Sequence, residues 1–569
     1  MKLGLGKSAV ALAALASLAL AACGGGGGGG GSSSGGGSSG GGAAAPPAAQ
    51  ISQPDAVRLA KQATFGPTTV LVDRIVQANL NGWLDEQFAA SGSTYADLAT
   101  RVQNRNYCNL MTGTAATICN RDYMSSTPVA MRFYGNAMQQ PDQLRQRVAW
   151  ALSQIVVASD VEVRSTAGLA ALNQIFLTNA FGNYRDILKA ATLNAYMGDY
   201  LDMANSSRTA PNENYARELM QLFSMGVDKL NMDGTPVNDA SGAAAPSYTA
   251  ADVKDVARAL TGWTYARLNG APLSDNNQLD YAAPMVMNAA IYDSGAKSFL
   301  GTTVAAGTGQ MASLDAVIDA VFNNASTAPY ISKQLIQMLV TSNPTPAYVQ
   351  RVASVFANNG AGMRGDMKAV VRAILTDAEA RGDAKTADAN AKIKEPVLLT
   401  TAIGRLAGFK SDGYAFTTRD AALGQAPFRS PSVFNFYPPD YPLPQGSGLL
   451  SPASKLMTTA TIMARHNLVY DWTVSGDATR GEYAVQANLD GSTGTQPDWG
   501  PWEALTDPNA LIDRINLLML NNTMSSSQRA SLLTAITAVT NIDPALQARR
   551  RAQTALYIVG ASPAFQTDR

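Results

Sequence analysis

The chain has 569 residues, enough for one large domain or several ordinary ones, so its size does not limit the burial of a sizeable core. Lysine plus arginine number 43 and aspartate plus glutamate 43, which leaves no global field to attract a polyanion and argues against nucleic acid as a partner. A composition of 46% hydrophobic, 15% charged and 7% aromatic residues is that of a globular protein rich in small residues.

The first 22 residues read as a secretory signal. Lys2 and Lys7 precede an apolar run from Ser8 to Ala22 that is too short to span a bilayer. Leu20, Ala21, Ala22 and Cys23 resemble a bacterial lipobox, in which the cysteine becomes the acylated first residue. Cys23 is therefore expected to be lipidated and to fix the chain to a membrane. Nothing but glycine and serine follows as far as Gly42, then alanine and proline to about residue 50. Such a segment cannot bury a core. It acts as a flexible tether spanning on the order of 25 Å. No aspartate follows Cys23, which under the lipoprotein resemblance points to the outer membrane, periplasmic or cell-surface.

Beyond the tether, residues 51–426 read as a helical core. "PDAVRLAKQATFG" opens on Pro54 and Asp55 and stops at Gly66 and Pro67. "VLVDRIVQANLNGWLDEQFAA" follows as a second helix. Cys108 and Cys119 lie in a turn-rich stretch of an exported chain, and we expect a local disulfide between them. "QLRQRVAWALSQIVVAS" predicts a buried helix over 143–159, with Val148, Leu152, Ile155 and Val156 facing inward and Trp150 on its flank. Further helical patterns run through "DVKDVARALTGW", "SLDAVIDAVFNN", "APYISKQLIQMLV", "PAYVQRVASVFAN", "DMKAVVRAILTD" and "EPVLLTTAIGRLAG". Strand-like alternation is sparse, so the fold class is mainly α. Between Pro427 and Pro452, seven prolines and five aromatics break any helix. This 427–452 segment is expected to pack as an extended arm over the helices, with a C-terminal helical region over 453–569.

One helix carries most of the chemistry. In "PNENYARELMQLFSMGV", Pro211 to Val227, a helix started by Asn212 would gather Tyr215, Leu219, Leu222, Phe223 and Gly226 on an apolar arc. Asn214, Arg217, Glu218 and Gln221 would share the opposite one. Asn212 is the expected N-cap, Glu213 sits well at the positive end of the dipole, and Glu213 with Arg217 forms an i, i+4 pair. Capping and solvation account for each polar residue singly. They do not require the carboxamide of Asn214 to stand beside the carboxylate of Glu218. As a site, Glu218 would be the acid or base, Arg217 would set its charge state and Asn214 would orient a substrate.

Ten segments in this order, from "RLAKQATFGPT" through "NENYARELMQLFSMGV", "RALTGWT", "YDSGAKSFLG" and "SPSVFNFYPPDY" to "RAQTALYIVGASPAF", resemble the DUF1800 family of large bacterial exported proteins. They cover nearly all of Arg58 to Phe565. The resemblance implies a largely helical exported protein and names no reaction. It also implies a protein partner, because members are often encoded beside exported proteins of the DUF1501 family, which looks like the alkaline phosphatase and sulfatase fold. Where many members carry histidine before the aspartate of the Asp-x-Gly-x-Lys segment, this chain has Tyr292 before Asp293. A buried network joining Arg217 and Glu218 to Asp293 and Lys297 would be a second way to use the motif.

Other constellations are incomplete. The chain has one histidine, His466, and no G-x-S-x-G, so a Ser-His-Asp triad has little to build on. Ser294 with Lys297 and Ser274-Asp275-Asn276 imitate penicillin-binding motifs, but in reversed order and without K-T-G. "LNMDGTPVNDAS" and "ANLDGSTGTQPD" have the wrong residues at EF-hand ligand positions and read as turns. We expect no metal and no cofactor. The leading functional expectation is a binding or assembly accessory of the envelope, acting on another exported protein or an envelope polymer. The alternatives are a hydrolase or lyase using Asn214, Arg217 and Glu218, and a purely structural scaffold.

Overall fold

The computed structural model describes residues 50–569, apart from 105, 275–277, 383, 384, 386, 444–446 and 476–478. The signal, Cys23 and nearly all of the tether therefore lie outside the described residues, as do Asp275 and Asn276. Among the described residues there are 24 α-helices, and no strand exceeds three residues. None of these helices is long and apolar enough to cross a membrane.

The helices begin and end where local chemistry dictates. Gln53–Ala63 starts at Ser52, whose side chain accepts from Asp55 N, and carries proline in its first turn. Thr69–Ala89, expected to be one continuous helix, is broken at Asn79 (φ 60°, ψ 169°). The Asn79 side chain accepts the Ile51 and Leu80 amides there, giving freed backbone groups a partner. Gln143–Ile155 is a turn shorter than expected. Trp150 is not on a flank. It is buried, with Nε1 donating to Glu395 at 2.8 Å.

One apolar cluster runs through the whole body, with Val57, Leu152, Ile336, Leu511 and Leu556 all in it. Residues 51–426 and 453–569 therefore share a core: Lys61 Nζ, on the first helix, donates to Met519 O at 2.9 Å. The last strand, Thr567–Asp568, pairs antiparallel with Lys392–Ile393 and brings the end of the chain to the same place. Residues Gln50–Arg569 form one compact unit. Cys108 and Cys119 are joined as a disulfide beside Met124.

The Pro/aromatic segment makes the contacts of an arm laid on helices. Phe428 sits edge-on to Phe133 and Trp150, Tyr437 donates to Glu395 at 2.6 Å, and Gln337 Nε2 donates to Pro439 O at 3.1 Å. Phe428 holds φ 64°, a costly conformation for an aromatic residue. Its ring contacts and the Asp160 amide on its carbonyl at 2.9 Å hold it there.

Candidate functional site

The motif helix spans Asn214–Gln221, with Glu213 as its N-cap. Asn212 is not the cap: its Oδ1 accepts from Asn214 N at 2.9 Å, a local turn just upstream of the helix. With this turn upstream, the cap falls one residue later than expected.

The apolar arc is as expected, with Tyr215, Leu219 and Phe223 buried. The arc is tied to the neighbouring Tyr184–Leu193 helix: Tyr215 shares a 2.7 Å hydrogen bond with Thr192, and Tyr184 donates to Phe223 O at 2.7 Å. The polar arc splits. Asn214 and Arg217 are exposed, but Glu218 is only 7% exposed. Asn214 Nδ2 turns to Asp202 at 3.4 Å rather than to Glu218. Arg217 pairs with Glu213 at 3.2 Å.

Glu218 is thus a buried carboxyl without an ion-pair partner among the described residues, and its Oε2 accepts no hydrogen bond. Burial pushes this carboxyl above the usual range, and the Arg217 charge offsets only part of that. Its surroundings are phenolic. Burial first, and then carboxylates that include Glu218, hold Tyr200, Tyr248 and Tyr330 above the ordinary phenol range. Tyr200 OH also lacks a partner, while Tyr248 donates to Gln221 at 3.1 Å. Burial thus favours the protonated form of this carboxyl, the form a general acid uses.

Asp293 and Lys297 belong to a different knot. Arg258 Nε donates to Asp293 at 2.8 Å, Gly295 N donates to the same carboxylate at 2.8 Å, and Lys297 Nζ donates to Gly295 O at 2.8 Å. Tyr292 packs under this ammonium, 5.1 Å from ring centre to Nζ, and donates to Thr308 O. No hydrogen bond or ion pair among the described residues joins this loop to Arg217 or Glu218. The expected network is therefore replaced by a closed loop clamped onto the Ala250–Ala259 helix, whose Arg258 supplies the counter-charge.

What the motif does border is a cleft of about 410 Å³. It is lined by Gln221, Leu222 and Val227 from the end of the motif, by Tyr330 and Lys333, and by Phe434, Pro438 and Pro439 of the arm. Val227 and Phe434 are each 51% exposed, so large apolar surface faces solvent here. Gly226 makes the arrangement possible: at φ 77° it turns the chain away, and a Cβ there would lie 2.8 Å from the Tyr330 ring. Asp228 and Asp440 add carboxylates to the lining.

Sequence reasoning passed over Glu395. It is buried and accepts from Trp150, Gln425 (2.7 Å) and Tyr437. Burial alone would raise its carboxyl, but the nearby Arg147 charge and these donors hold it below the usual range. Its only signal was a glutamate just before the proline that opens Pro396–Leu406, which an N-cap explains equally well. Among the described residues no group of three or more His, Cys, Asp or Glu gathers to hold a metal ion.

Nothing among the curated proteins and nothing among the solved structures matches the chain. One family model does, over residues 58–567, and it takes in the motif helix, the clamped loop and the arm that walls the cleft. By that match the chain belongs to the family described as "Protein of unknown function (DUF1800)".

Proposed function

We propose that this protein is an envelope accessory, carried on an acylated Cys23 and its tether, that grips an extended segment of another exported protein in the cleft between the motif helix and the arm. The cleft carries this reading. Tyr330, Phe434, Pro438 and Pro439 offer the rigid aromatic and proline surfaces on which extended chains dock, and Lys333, Asp228 and Asp440 offer charged groups to fix direction. Family members' expected neighbours, exported proteins of the DUF1501 family, are the first partners to seek. The test is capture from solubilised envelope with the wild type and with Phe434→Ala. Recovery of such a protein by the wild type and its loss with the variant, at unchanged melting temperature, is expected. Equal recovery by both, or recovery of neither an exported protein nor a glycan, refutes it.

A second reading rests on Glu218. A buried, unpartnered carboxyl with a raised pKa beside an unpartnered tyrosine hydroxyl supports an acid role in a hydrolase or lyase. On this reading Glu218→Gln abolishes complementation of a deletion strain while Phe434→Ala leaves part of it. Full complementation by Glu218→Gln removes the reading.

A further inference from the structure

A cluster rich in basic side chains lies away from the cleft, where the first helix, the Gln143–Ile155 helix and the terminal strand pair meet. A chamber of about 10 Å³ there is lined by Arg58, Lys61, Arg147, Lys392, Asp568 and Arg569. Five of these six side chains are basic, and one of the five, Arg569, is paired with Asp388 at 3.2 Å. The one carboxylate, Asp568, is engaged by Lys394 at 2.5 Å and lies 3.9 Å from Lys61.

Arg147 is the critical group. It is 1% exposed, forms no ion pair among the described residues, and its Nε and Nη1 have no hydrogen-bond partner. Its remaining nitrogen donates to Met338 O at 2.8 Å, and Lys392 Nζ donates to the same carbonyl oxygen. Two cations thus converge on one neutral acceptor. A guanidinium cannot escape by losing its proton, and the carboxylate that acts on it most, Glu395, makes no ion pair with it among the described residues and acts on Lys392 as well, so part of the charge remains to be met. Water in the chamber would satisfy the donors and leave the excess of basic groups over the two carboxylates, Glu395 and Asp568. Burial also brings Lys392 and Lys61 down to about 7, Arg147 adding to the effect at Lys392 and Lys394 at Lys61, and the opposing pull of Asp568 and Glu395 does not restore them.

We propose that this chamber is a binding site for one monovalent inorganic anion of halide size, held by the unpartnered nitrogens of Arg147 with Lys392 and Lys61 around it. The volume admits about one water-sized species, which excludes sulfate, phosphate esters and acidic polymers. Bound there, the anion fastens the first helix and the Gln143–Ile155 helix to the Lys392–Ile393 and Thr567–Asp568 strands, closing the two ends of the body onto each other.

Bromide is the probe. Thermal melts of the protein, lacking only its lipid anchor, are compared in sodium bromide and in sodium methanesulfonate at equal ionic strength, since methanesulfonate exceeds the chamber. A melting temperature that climbs with bromide but not with methanesulfonate is expected, and the climb is lost in Arg147→Met and reduced in Lys392→Met. Crystals grown in bromide are expected to show an anomalous peak within contact distance of Arg147 Nε and Nη1. If Arg147→Met does not fold, Lys392→Met and the wild-type anomalous map decide the matter. Identical melting in the two salts together with an anomalous map empty at Arg147 overturns the proposal.

Discussion

Replacement of Glu218 by glutamine separates a structural carboxylate from a functional one. If Glu218 were half of a buried ion pair, Glu218→Gln would strand a cation and cost about 3–5 kcal/mol. Among the described residues no cation pairs with it: Arg217 is exposed and paired with Glu213, and Lys297 is held in the Asp293 loop. What Glu218 contributes is an unpartnered oxygen in a buried place, a group whose desolvation costs about 1–3 kcal/mol. Glutamine keeps the shape and removes the charge, so at neutral pH the variant is expected to be as stable as the wild type or more stable by about 1 kcal/mol. The dependence on pH fixes the cause. Burial raises the folded-state pKa of Glu218 above its unfolded value, so between the two the native state holds more protons than the unfolded chain. The wild type therefore gains stability as pH falls through that window, carries the full cost above the folded value, and loses any disadvantage against glutamine below the unfolded one. Urea denaturation of both proteins on either side of the window reads this directly. A loss of more than about 2 kcal/mol at neutral pH would refute the reasoning, because it would mean the carboxylate has a strong partner.

Three further outcomes follow from the geometry. Loss of the disulfide in Cys108→Ser/Cys119→Ser, which closes a separation of 11 residues, is expected to cost about 2–3 kcal/mol in denaturation under non-reducing conditions. Asp293→Asn takes away the carboxylate 3.8 Å from the 3% exposed Lys297 and is expected to cost about 3 kcal/mol in urea denaturation. In the wild type this contribution fades on acidification, since hydrogen bonds from Arg258 and Gly295 outweigh burial and depress the Asp293 carboxyl. Gly226→Ala combines a left-handed backbone with a 2.8 Å approach to Tyr330, so a cost of about 1–3 kcal/mol with weakened partner capture is expected.

Periodicity made the helices legible because each buries a face whatever its partner. "SLDAVIDAVFNN" became part of Gln310–Asn323 and "PAYVQRVASVFAN" became Pro346–Ala357. Asn79 escaped because a kink needs one side chain to accept two amides, a geometry that no hydrophobic period records. The motif was legible as a helix but not as an environment. A helical wheel puts Glu218 with Arg217 and Gln221, yet burial is decided by residues outside the helix, and Glu218 is 7% exposed while Arg217 stays in solvent. The same holds for Arg147 and Glu395, which lie in helical patterns that do not single them out. Only the fold shows one with unpartnered donors and the other with three side-chain donors.

Tyr330 joins the two functional readings physically. Its ring fills the notch over Gly226 and lines the cleft, while Glu218 is among the carboxylates that hold up its hydroxyl. An occupant pressed against Tyr330 therefore changes the surroundings of Glu218 without touching it. If the cleft binds and Glu218 only tolerates burial, Phe434→Ala and Glu218→Gln act on separate quantities and their effects on partner capture add in the double variant. If Glu218 completes the site, removing it makes the loss of Phe434 matter less, and the double variant falls short of the sum. The double-mutant cycle on capture thus distinguishes a docking groove that passes near a buried acid from a groove that delivers its occupant to that acid.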